Sequence, residues 1–198
     1  MRSMLKTLLN VLALLLAAPL AVPVRLTAAL DRHDRIFQFG SQTVSLLPGL
    51  PGDLIRRGYY SIVLGSYLGS LTMNFGSIMA QRGTEVGASV YIGAFCNLGL
   101  CRIGDNVLIG SNVIVASPKA HYFDDPAAPI SHQGGEFERI DIGSGAWIGN
   151  GAVVLNRVGS GAVVAAGSVV VKPCEEHGIY AGNPAKLIRL RGARQASD

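Results

Sequence analysis

Four histidines occur in the 198 residues, and two of them, His121 and His132, fall in one irregular stretch, residues 116–141, with Asp124, Asp125, Glu136 and Glu138. A neutral imidazole, whose unperturbed pKa is about 6.5, can take the proton from a hydroxyl as that oxygen attacks. A lone loop histidine is more often a solvated residue, so its surroundings must decide. A carboxylate of the same stretch, or a backbone carbonyl, could orient its second nitrogen, and residue order alone leaves that choice open. The three cysteines, Cys96, Cys101 and Cys174, cannot all pair. They read as reduced thiols in a cytosolic setting.

The elements that must position these groups repeat. Val86-Gly87-Ala88-Ser89-Val90-Tyr91 is followed by a second six-residue unit from Ile92, and further units start at Ile103, Ile109, Ile142, Ile148, Val158 and Val164, eight in all. Each opens on an aliphatic residue, continues with Gly or Ala, and has a small or branched residue at its fifth position. The first position suits a short buried strand. The second lets a neighbouring layer approach. Gly, Asn, Asp and Ser at the third and fourth supply turn chemistry. A strand this short cannot bury its own apolar face, but stacked copies can. Hairpins would want longer alternating strands, so the constant spacing argues against them. The period breaks twice: five residues run from Leu98 to Ile103, and four from Val154 to Val158. A tightened corner and a backbone re-aimed beside a site are both open readings. The insertion at 116–141 is the one long interruption, and irregular segments of that length in a regular scaffold are usually functional or mobile.

These units resemble the hexapeptide-repeat acyltransferases, in particular the maltose, galactoside and exopolysaccharide O-acetyltransferases, over about residues 74–191. Ala166-Gly167-Ser168-Val169-Val170 with Lys172, then Ala181-Gly182-Asn183-Pro184-Ala185-Lys186, is similar to the tail of that branch, and Leu47-Pro48-Gly49, Arg56-Arg57 and Tyr59-Tyr60 resemble its membrane-linked polysaccharide members. The resemblance implies an all-β fold: a left-handed parallel β-helix with an N-terminal apolar helical segment, an extended loop and a short C-terminal helix. The divisions expected are an apolar segment at 1–30, a lead-in at 31–73, the β-helix at 74–175 with its loop at 116–141, and a tail or helix at 176–198. It implies transfer of acetyl from acetyl-CoA to a sugar or polysaccharide hydroxyl in a homotrimer, without a metal. His121, following the Ile103–Val113 motif, takes the place of the general base, and the Asn150 amide that of the oxyanion donor. Asn97 and Trp147 stand at acceptor positions; Gly149, Ala166, Lys172, Lys186 and Arg189 stand along the CoA path, with Arg191 and Arg194 extending the basic tail. Val171 replaces the Thr usual in relatives, so one hydroxyl contact to CoA is missing. Two other readings compete: a non-catalytic repeat scaffold, and a γ-class carbonic anhydrase, which needs three zinc-binding histidines where only His121 and His132 are suitably placed.

Composition bounds the rest. Hydrophobic residues are 49% and charged residues 15%, which excludes a disordered solvating chain, and 25 glycines follow no collagen period. The formal charge of +4 lies at the two ends without an aromatic-rich basic motif, so nucleic acid is not an expected partner. Met4 to Val24 is apolar and flanked by Arg2, Lys6 and Arg25. It could be a spanning helix, a helix lying in a membrane face or packed on protein, or a signal peptide, although no strict Ala-x-Ala occurs in residues 13–30. Membrane attachment at the cytoplasmic side, where CoA is found, is the expectation.

Overall fold

The apolar N-terminal stretch forms one helix, α1 (Arg2–Leu26), followed by α2 (Arg35–Ser45) and α3 (Gly49–Val63). The structure, a computed structural model, describes residues 2–192. Ala13, Ala17, Ala21 and Val24 form the buried side of α1. They lie on α3 closely enough that a Cβ on Gly58 would overlap the Ala13 carbonyl. The polar side chains of the lead-in tie it to the start of the coil. Arg56, fully buried, donates to the carbonyls of Val44 and Leu47 at the end of α2 and, at 2.6 Å, to Met73. Asp53 accepts from the Met73 amide at 2.8 Å.

The repeats then wind through three sheets in turn. The first face stacks β1 (Thr72–Met73), β4 (Tyr91–Ile92), β7 (Leu108–Ile109), β10 (Trp147–Ile148), β12 (Val163–Val164) and β14 (Gly178–Ala181). The second stacks β2 (Ile78–Met79), β5 (Asn97–Leu98), β8 (Ile114–Val115), β11 (Val153–Val154) and β13 (Val169–Val170). The third stacks β3 (Glu85–Val86), β6 (Cys101–Ile103) and β9 (Ile140–Ile142), and single bridges carry it through Val158 to Cys174. All of these pairings are parallel.

Each position of the repeat has one physical job. The first residues, among them Ile92, Ile103, Ile109, Ile142 and Ile148, point inward and are buried, as are the fifth residues from Val90 and Cys96 to Ala162 and Ser168. The fourth residue turns the corner with positive φ in all eight units, from Ser89 (56°) to Gly167 (69°). The second residue meets the next coil: a Cβ on Gly104 would stand 2.6 Å from the Ser144 amide. Both breaks in the period fall at the corner between the second and third faces, and the long insertion leaves from that corner too. The two readings of the breaks therefore meet on one edge of the coil.

The expected short C-terminal helix is absent from the described residues. β14 instead turns back into β15 (Lys186–Leu190), its antiparallel neighbour on the first face. Gly178-Ile179-Tyr180-Ala181 and Lys186 to Leu190 are rich in β-branched and aliphatic residues, and Asn183-Pro184 supplies the turn between them, so local preference favours a hairpin. Strand pairing spans Thr72 to Leu190, and the insertion ends at Arg139, where β9 begins.

Candidate active site

The insertion folds back on itself. The Tyr122 amide donates to the Gly134 carbonyl at 3.1 Å and the Glu136 amide to Lys119 at 2.8 Å, while the Ser117 hydroxyl bonds Glu136 and Glu138. Gly135 sits so close to the first limb that a Cβ there would overlap the Ala120 carbonyl, beside His121. The His121 ring is thus carried on a braced limb, exposed, with no hydrogen-bond partner among the described residues. The nearby acids are engaged elsewhere: Glu138 lies 3.4 Å and Glu136 4.0 Å from the Lys119 ammonium, and Asp125 caps the Ala127 amide. None of them bonds His121, so the orienting group is not supplied within this chain's described residues. His132 stands apart, exposed in a single 3-10 turn (Ile130–His132).

The corner between the first and second faces carries a ladder. There two third-position side chains accept a hydrogen bond from the third amide of the coil below. Ser111 Oγ takes the Ala94 N–H at 3.1 Å, and Asn150 Oδ1 takes the Ser111 N–H at 2.9 Å. The residue stacked on Asn150 is Ala166, which has no acceptor. The Asn150 N–H therefore finds no partner among the described residues, although its carbonyl accepts from Gly167 at 2.8 Å. A fixed, unused amide at a surface where the flanking Gly151 and Gly167 leave open space is suited to hold a developing oxyanion.

The structure brings Trp147, Gly149, Asn150 and Ala166 together on adjacent coils at this corner. Trp147 stands outward on the first face, 54% exposed between Leu108 and Val163. Lys186 and Arg189 lie on β15 beyond it, the Arg189 guanidinium reaching the Leu190 carbonyl at 3.2 Å and Arg191 reaching Gly161 at 2.7 Å. Lys172 is exposed at the corner between the second and third faces; Arg194 lies outside the described residues. Asn97 faces outward from β5 and borders a cleft of about 190 Å³ with Gln38, Ser41 and Gln42. No hydrogen bond joins His121 to any of these residues among those described.

Sequence reasoning passed over Ser111 and Ala166 as ladder members, because their roles depend on which residues stack across coils. The thiols offer no alternative nucleophile. Burial pushes Cys101 up to about 12 and Cys174 up to about 11, and raises Cys96, so all three stay protonated at neutral pH. Among the described residues no group of three or more His, Cys, Asp or Glu is placed to hold a metal ion.

No protein-family model matches the chain. A chloramphenicol acetyltransferase of Escherichia coli is 30% identical over 152 residues, which cover 69% of this chain and 68% of that protein. A Saccharomyces cerevisiae protein classed by name with the acetyltransferases is 35% identical over 137 residues, 65% of this chain and 69% of its own. A solved mutant of AntD, an N-acyltransferase from Bacillus cereus in complex with dTDP-4-amino-4,6-dideoxyglucose and coenzyme A, superposes with a TM-score of 0.56 over 64% of this chain and 73% of that one. At 21% identity that likeness speaks for the fold alone. With the stacked six-residue coils and relatives of this coverage, the chain belongs to the hexapeptide-repeat acetyltransferases.

Proposed function

We propose that the protein is an O-acetyltransferase that moves acetyl from acetyl-CoA to a hydroxyl of a sugar or polysaccharide precursor. The observation that carries this reading is the Asn150 amide, left unpaired because Ala166 ends the ladder above it. His121 takes the hydroxyl proton as the oxygen attacks the thioester carbonyl carbon. The tetrahedral oxyanion sits on the Asn150 N–H. Its collapse breaks the C–S bond, and the imidazolium returns the proton to the departing CoA thiolate. Lys172, Lys186 and Arg189 pair with the CoA phosphates, and the small corner at Gly149, Ala166 and Gly167 admits the pantetheine arm.

A site shared between protomers of a homotrimer accounts for a histidine with no partner among the described residues of its own chain. The outward residues support it. The first and second faces expose Tyr91, Leu108, Trp147 and Ile114, whereas the third carries the Glu85–Arg102–Asp141 ion pairs. The apolar faces are those a neighbour would cover. We take the winding to be left-handed, as in the family the coils resemble. CoA use supports a cytoplasmic site, and the exposed apolar side of α1 supports a position at the inner face of a membrane. AntD holds a nucleotide-linked amino sugar beside CoA, and that pairing supports a saccharide acceptor.

The test supplies acetyl-labelled acetyl-CoA with a panel of sugars and lipid-linked glycans. Label recovered as an alkali-labile ester on a saccharide is the expected result. Label that leaves CoA only as free acetate, or not at all, would overturn the reading.

A further inference from the structure

Residues Met4–Leu26 are long and apolar enough to cross a bilayer. The packing of α1 argues for a different arrangement. Ala13, Ala17 and Ala21 recur every four residues along its buried side and let the helix lie directly on α3 at Gly58. Both of its ends are tied down. The Asn10 amide donates to Tyr67 Oη at 2.7 Å and to the Gly69 carbonyl at 3.2 Å, while its oxygen accepts from Arg57 at 3.0 Å. Near the other end Arg25 donates to the Val63 carbonyl at 3.0 Å. If α1 stood across a bilayer in this packing, α3 with Asp53, Arg56 and Arg57 would enter the hydrocarbon beside it, where charged groups are strongly disfavoured.

The opposite side of α1 is a continuous apolar stripe. Met4, Leu8, Leu12, Leu15, Val22 and Leu26 are all more than two-fifths exposed and recur at helical spacing along a helix about 34 Å long. No acidic residue occurs before Asp31, and both Asp31 and Asp34 are engaged by Arg82. Exposed cations lie just beyond the end of the stripe, at Arg32 and Arg35, while Lys6 is on the protein side of α1, lining a hollow with Asn10 and Tyr67. In a parallel self-paired helix Arg32 and Arg35 would face their own copies. Anionic headgroups complement them.

We infer that α1 lies in the plane of an anionic lipid surface, its leucine stripe at the acyl boundary and its alanine side on the protein, and does not cross the bilayer. This deepens the membrane placement proposed above and is independent of the transfer chemistry.

Two measurements on the full chain decide it. In flotation, the protein should rise with vesicles of phosphatidylcholine and phosphatidylglycerol in equal parts and less with phosphatidylcholine alone. Leu8→Asp and Leu15→Asp should each lower partitioning by about tenfold or more, because each puts a charge where an exposed leucine would enter the acyl boundary. Arg32→Gln with Arg35→Gln should remove most of the preference for phosphatidylglycerol. Leu15→Ser is the milder variant should an aspartate disturb folding. The second measurement places single thiols at Lys6→Cys, on the protein side of α1, and Leu30→Cys, both exposed, against native cysteines that are all buried. In membranes from cells making the protein, an impermeant maleimide should reach both thiols from the same side. Thiols reached from opposite sides would overturn the inference, and so would a chain that ignores vesicles and self-associates through a stripe that Leu15→Asp dissolves. A protein that transfers acetyl to soluble sugars but does not float would fail here while leaving the proposed function standing; one that floats without transferring would do the reverse.

Discussion

At the scale of single residues, the proposed function turns on an amide that a neighbour declines to bond. Ser111 shows what a hydroxyl does in the ladder, accepting the amide of the coil below at 3.1 Å. Ala166→Ser would place the same hydroxyl over Asn150 and occupy its N–H. The expected outcome is a fall in kcat of about a hundredfold, the scale of losing one oxyanion donor, with an unchanged circular dichroism spectrum. Steady-state CoA release by the two proteins measures it, and a variant within threefold of the parent would remove the Asn150 amide from the mechanism. The family resemblance points to Asn150 and Ala166, but the pairing between them was not readable along the chain. Asn150 and Ala166 are each ordinary turn residues, and only the stacking register makes one leave the other unpaired. His121 was readable as a candidate, because the motif before it is rigid and regular. Its orientation was not, because no group among the described residues of its own chain bonds the ring.

At the scale of elements, the coil was the most legible part of the molecule, since every position in the unit carries its own steric demand and eight units repeat it. The lead-in was less so. Arg56 reads as a surface cation beside Arg57, yet it is buried against three carbonyls and closes the end of α2 onto β1. Burial lowers its pKa, and the nearby Asp53 carboxylate counters that. Arg56→Ala would strand those carbonyls and is expected to lower unfolding stability by about 3 kcal/mol or more. Arg56→Lys keeps the charge but not the planar fork, and should recover only part of the loss. Urea midpoints of the two variants test this, and equal midpoints for Arg56→Ala and the parent would contradict it. The C-terminal helix was misplaced for a different reason. It was carried over from the family, while the residues themselves favour paired strands.

At the scale of the whole molecule, burial leaves the Cys101 thiol inside the coil and the Tyr59 and Tyr60 phenols of α3 unable to ionise in place. Burial raises Cys101 to about 12 and Tyr60 to about 12, and raises Tyr59 as well. The unfolded chain ionises first, its thiols near 9.0 and its phenols near 10.0. The folded state then holds more protons than the unfolded one, so stability falls as pH rises through that window. Thermal midpoints should be level with respect to these groups below pH 9.0 and drop steadily above it toward about 12. A midpoint that held constant to pH 11 would contradict the buried placement of these groups. The same scale sets the test of the central claim, that an imidazole on the insertion drives acetyl transfer beside the corner amide. With an accepting saccharide identified, the rate of CoA release by the protein is compared with that of His121→Asn. The account predicts a loss of about 10²–10⁴-fold in kcat with the assembly intact. A loss below tenfold, with acetyl still reaching the same hydroxyl, would contradict it.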